Sequence, residues 1–176
     1  MTLPGPLAAT SSRIEAQRAR LIAALSSLGA DDTMRSPGPD RWSAAQVVDH
    51  LLLAEGFTND ITKMMVEKAI ASGEATGFPA DLTAFEALPP PLSLEAPPPI
   101  RPRQELPPEE LIAALTAMSK RSMASMESLA AVDPRNYRMM HPLFGELDLG
   151  QWWDVHPVHY EMHIAQAQDA LKGESA

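Results

Sequence analysis

Residues 42–51 read Trp42-Ser43-Ala44-Ala45-Gln46-Val47-Val48-Asp49-His50-Leu51, and they open a long helix. Ser43 is a good N-cap, able to accept the amide three residues on, and Gln46 sits where its side chain can return a bond to Ser43. Trp42 and Val47 flank this cap as a hydrophobic staple. The helical pattern continues through Phe57 to Ser72-Gly73. A helix of roughly 30 residues exceeds the usual globular length and suits a bundle.

On the N-terminal side, residues 1–10 read as a disordered or loosely docked tail. A helix is then expected from about Ser11, its buried stripe formed by Ile14, Leu21, Leu25 and Leu28, with Gly29 as a stop signal. Residues 31–40, with Pro37-Gly38-Pro39, read as a connection.

On the C-terminal side, residues 74–108 hold 10 of the 17 prolines. Proline fixes φ and lacks an amide donor, so this stretch is expected to be an extended, polyproline-like arm. Phe78, Leu82, Phe85 and Leu88 are its expected anchors on the bundle.

A third helix starts at Pro107-Pro108-Glu109-Glu110 and buries Leu111, Leu115, Met118, Met126 and Leu129 before Asp133-Pro134 ends it. His141-Pro142-Leu143-Phe144-Gly145-Glu146-Leu147 reads as a compact connection. Asp148 and Gln151 then form a second capping box, opening a helix that runs to about Leu171, with Lys172-Gly173 as its stop. Pro157 falls inside this helix and predicts a kink or bulge. Adjacent Trp152 and Trp153 must point to different faces, one into the core and the other toward the arm or a partner subunit. The expected fold is therefore all-α, a four-helix bundle in one domain spanning residues 1–176. The Pro-rich arm joins its second and third helices.

Composition narrows the function. With 14 Lys+Arg against 23 Asp+Glu, the formal charge is −9 and there is no basic tract, which disfavours nucleic acid as a partner. No apolar run approaches the ~20 residues of a membrane helix, and the N-terminus lacks a signal-peptide pattern. We therefore expect a cytoplasmic protein with no membrane partner. Cysteine is absent. Thiolate ligands and a cysteine nucleophile are thereby excluded, and any thiol chemistry needs a thiol from outside.

Histidine is where the sequence points to chemistry. His159 and His163 are four residues apart, so they share one helix face about a turn apart and can reach one cation. His50, in the apolar run Val47–Leu53, can supply a third ligand from another helix. A buried imidazole there needs a partner. His156 shares the broad face of the pair and is an alternative ligand if Pro157 re-aims it. His141 reads as part of a turn. A zincin protease is excluded: that chemistry places glutamate directly after the first histidine, whereas Glu161 lies about 200° around the helix from His159. Asp49, Glu55, Asp154 and Tyr160 are candidates for support or acid–base roles.

Three patterns in order, Trp42-Ser43-x-x-Gln46-x-x-x-His50-Leu51, His141-Pro142-x-Phe144-Gly145-x-Leu147 and His159-x-x-x-His163-x-x-Gln166, resemble the DinB-like (DinB/YfiT) superfamily. The resemblance covers most of residues 11–171 apart from the arm. It implies a four-helix bundle and a divalent metal, most often zinc or nickel, held by His50, His159 and His163. It also implies a homodimer. Characterised relatives include transferases and isomerases that use a low-molecular-weight thiol, so the implied activity is thiol-dependent transfer or isomerisation of a small-molecule substrate. Metal-assisted hydrolysis and non-catalytic binding of a small molecule are the alternatives.

Overall fold

A computed structural model describes residues 2–86 and 95–172, with side chains as far as Gln168. Five helices and one hairpin follow in order: α1 (Gly5–Leu25), α2 (Ala30–Met34), α3 (Ala44–Ser72), α4 (Pro108–Leu129), β1 (Arg138–His141), β2 (Gly145–Asp148) and α5 (Leu149–Lys172). The four long helices form a bundle. Helices α1 and α3 each pack between α4 and α5, which puts these two consecutive long helices at opposite corners. Leu7, Ile14, Leu21, Val47, Leu51, Leu111, Leu115, Met126, Leu129, Trp153 and Ile164 fill the shared core.

Local signals account for the helix ends. The Gln46 amide donates to Ser43 Oγ (3.2 Å), and the Ser43 amide donates to Gln46 Oε1 (3.0 Å). The same reciprocal pair joins Asp148 and Gln151 at 2.9 and 3.0 Å. Helix α3 stops at Gly73, whose φ of 74° is the left-handed turn that a residue without Cβ adopts freely. Helix α5 stays continuous through Pro157, so His159 and His163 keep their common face. The expected stop at Gly173 and the anchor Leu88 lie outside the described residues.

Three expectations need correction. The N-terminal segment is not a tail: α1 begins at Gly5, its first turn holds Pro6, and Leu7 is fully buried. Proline suits a first turn because its missing amide would be unpaired there in any case. Part of the connection after Gly29 is the short helix α2. The fold is also not purely helical, since β1 and β2 pair antiparallel, Arg138 opposite Asp148 and His141 opposite Gly145. Gly145 has a φ of 74°, which turns the chain into β2, while Leu147 and Asp148 at the end of that strand are buried.

Among the described arm residues, 74–86 carry no helix or strand, and 95–107 carry one 3-10 turn, Pro98–Ile100. Phe78, Leu82 and Phe85 pack against the core. Phe85 meets Phe144 edge to face at 5.2 Å, and the Gln151 side chain donates to the Ala84 carbonyl (2.9 Å). A Cβ at Gly150 would come within 3.1 Å of Leu82, so this glycine lets the arm lie close on α5. Among the described residues no helix is long and apolar enough to cross a membrane.

Candidate metal centre

His50 sits two turns into α3, and His159 and His163 stand one turn apart on α5. Packing of α3 on α5 brings the three together. One ring nitrogen from each lies within 4.8 Å of the others, and His50 Nε2 is 3.0 Å from His159 Nε2. Two nitrogens each about 2.1 Å from a shared ion would stand roughly 3.0–3.4 Å apart, so the closest pair already has that spacing. His156, the alternative ligand, is not in this group. It is buried, and its Nε2 pairs with Thr58 Oγ1 at 2.9 Å.

Hydrogen bonds behind the rings set their tautomers. His50 Nδ1 donates to the Ile100 carbonyl (2.7 Å), and His163 Nδ1 donates to Gln166 Oε1 (2.7 Å). With the proton on Nδ1, each Nε2 turns a lone pair toward the other rings, the arrangement usual behind metal-ligating histidine. Burial holds all three imidazoles below their ordinary range, His159 well below it and His163 down to about 4. The neighbouring rings push His159 and His163 further the same way. The site therefore offers neutral nitrogens, the form that accepts a cation.

The triad lies on the wall of a cavity of about 910 Å³. Trp42, one residue before the α3 cap, stacks toward His163 at 6.3 Å and leans on His50 at 4.9 Å. Ile100 and Pro97 of the arm close one side; Pro142 and Phe144 of the hairpin close another. Asp49, next to His50, accepts the amides of Arg103 (2.7 Å) and Gln104 (3.1 Å). The arm is thus fixed to α3 by two adjacent residues, one of them a member of the triad.

The other suggested support groups do not line the cavity. Asp154 ties α1 to α5, accepting from Thr10 Oγ1 (2.6 Å) and from Arg13. Glu55 and Tyr160 belong to a buried network. Glu55 takes Arg18 and Ser122 on one oxygen (2.5 Å each) and the Tyr160 hydroxyl on the other (2.7 Å). Burial works to raise the Glu55 carboxyl, but the charges of Arg18 and His156 with the Ser122 and Tyr160 hydrogen bonds outweigh it and hold the group below its ordinary range. Of the two tryptophans, Trp153 is in the core, donating to Thr62 Oγ1 (3.1 Å), while Trp152 faces the cavity beside Phe57 and His141. Sequence reasoning missed the Ile100 carbonyl, the stacking of Trp42 and the place of His141 on the cavity wall. All depend on contacts between distant segments, although the position of Trp42 eight residues before His50 was a usable signal.

Fold and site together define a histidine-bearing four-helix bundle. The chain matches the DinB superfamily over residues 13–167 and belongs to it. Its structure is similar to the crystal structure of TT2238, a four-helix bundle protein, with a TM-score of 0.58 and 23% identity over 92% of this chain and 98% of that one. At that identity the likeness shows the fold alone. No curated protein matches the chain.

Proposed function

We propose that this protein is a divalent-metal-dependent enzyme, with His50, His159 and His163 holding a zinc or nickel ion, that acts on a small molecule with a low-molecular-weight thiol as co-substrate. The observation that carries the reading is the convergence of three neutral imidazoles, two with tautomers fixed from behind, on the wall of one large cavity. A bound divalent ion would supply Lewis acidity there and lower the pKa of a thiol or water beside it.

The chain's own residues do the rest. Ile100 and Gln166 keep the Nε2 lone pairs aimed inward, Trp42 covers the triad, and the arm and hairpin restrict water. The chain has no cysteine, so any thiol used must come from outside. The cavity of about 910 Å³ lies near the top of the ~300–1,000 Å³ range of small-molecule sites, leaving room for two reactants.

Elemental analysis of tag-free protein, with His50→Ala and His163→Ala alongside, tests the site. We expect about one ion per chain in the parent and loss of it in both variants. A parent that stays empty after supplementation with zinc and nickel overturns the metal reading. With the metal established, turnover in a substrate screen should require added thiol; equal turnover without thiol replaces transfer by hydrolysis.

A further inference from the structure

All five histidines of the chain line the one cavity, yet only three converge on a common point. Of the remaining two, His156 is closed in and bound to Thr58. His141 is different. It ends β1, and its Nδ1 accepts the backbone amides of Leu143 (3.1 Å) and Phe144 (3.4 Å) in the hairpin turn. A nitrogen that accepts two N–H groups cannot carry a proton, so this imidazole is neutral and its single proton is on Nε2. Nε2 lies across the ring from the turn and bonds to no other described residue.

The ring is also held in place. It stacks on Phe144 at 4.9 Å and 30°, and Trp152 packs on it at 4.7 Å. Burial, with a smaller contribution from His156, holds the imidazole down to about 4, in keeping with a ring that stays neutral. Phe57 and Trp42 add further aromatic surface to the same cavity.

We infer that His141 presents a fixed N–H donor to the acceptor oxygen of a bound small molecule, so that the pocket takes compounds joining a carbonyl or carboxylate oxygen to a flat apolar body. A neutral imidazole with its proton pinned polarises a carbonyl without giving the proton away, as the neutral histidine of triosephosphate isomerase does. The aromatic walls supply the apolar contact and the single directed donor sets orientation. The hairpin, joined to α5 directly at Asp148, is then the element that fixes the substrate relative to the triad. This names the substrate class for the proposed enzyme and rests on that reading for where the chemistry occurs, but not for the binding itself.

The test uses full-length protein stripped of metal, so that a carboxylate has no ion to bind. Long-range proton–nitrogen NMR of the imidazoles, with sodium benzoate and benzamide as probes, reads tautomer and contact together. His141 is assigned by the signals missing from His141→Asn. Asparagine is the chosen substitution because its side-chain oxygen can accept the amide two residues on, preserving the turn, while its shorter side chain leaves no N–H at the position the imidazole Nε2 occupies. We expect a bare Nδ1 and a protonated Nε2 in the free protein, a shift of that Nε2–H on adding probe, and binding about tenfold weaker in the variant. Metal content of His141→Asn should equal the parent's.

Protonation of Nδ1, the absence of any probe shift at His141, or equal affinity in parent and variant each overturns the inference. Loss of metal in His141→Asn also overturns it, by making His141 a support of the triad, while leaving the metal reading intact. A parent that takes up no metal but still shows the probe at His141 does the reverse.

Discussion

Replacing Arg18 with methionine should cost more stability than any surface change to this protein. Arg18 is 1% exposed and Glu55 is 0% exposed, and the two form an ion pair across the α1–α3 diagonal at 2.5 Å. Arg18 also pairs with Glu15 and lies over the Tyr160 ring at 5.8 Å. Removing one partner of a buried pair typically costs about 3–5 kcal/mol, because the other charge is left without compensation. For a domain of this size each kcal/mol lowers Tm by about 2–4 °C, so a fall of about 6–20 °C is expected.

The pH dependence gives a sharper check on Arg18. In the parent, Glu55 titrates below its unfolded value of 4.5, so its contribution is complete above that value and is lost as pH falls through the lower folded value. In Arg18→Met, burial becomes dominant and raises the folded value above 4.5, so the variant recovers stability as its carboxyl takes up a proton. The difference should be largest at pH 7 and shrink toward pH 4. Urea unfolding followed by far-UV circular dichroism at both pH values measures it. A difference below about 1 kcal/mol at pH 7 would refute the reasoning, as would one that does not change with pH.

Asp49→Ala should release the arm from α3. With two hydrogen bonds to a carboxylate gone, local opening at Arg103 and Gln104 should become easier by about 2 kcal/mol, and hydrogen exchange there about 30-fold faster, while the α4 core is unchanged. Gly73→Ala should destabilise by about 1–2 kcal/mol and lower Tm by a few degrees. A Cβ at Gly73 meets nothing within 4 Å, so the whole effect must come from its φ of 74°. Thermal melts of a Gly73→Asn variant should show a smaller loss, since asparagine tolerates the left-handed region better.

What the sequence revealed was what neighbouring residues decide. Ser43 with Gln46 and Asp148 with Gln151 marked two helix starts because a capping box is complete within four residues. Gly73 marked a stop for the same reason. His159 and His163 could be placed on one face because helical spacing alone dictates it. The missed start of α1 was also within reach, since Leu7, Ile14 and Leu21 repeat at sevens and Pro6 suits a first turn. The hairpin was harder: strands of four residues are too short to show alternation, and their pairing is held by the His141–Gly145 turn and the burial of Leu147. Nothing local announces that Arg18 and Glu55 are buried together, 37 positions apart, or that Asp49 reaches across more than 50 residues to the arm. Charged residues on amphipathic helices read as solvated until the partner is known.

Placing every histidine on the wall of one cavity has a consequence for the protein as a colloid. Histidine is the side chain whose ordinary titration falls between about pH 5 and 8. Here none of the five is on the outer surface free of that cavity, and each is shifted downward by burial. Apart from the terminal amine, the exterior therefore carries side chains that ionise outside pH 6–8, and the formal −9 changes little between those two values. Ion-exchange retention and self-repulsion should change little between pH 6 and 8, so solution behaviour in that interval is governed mainly by salt.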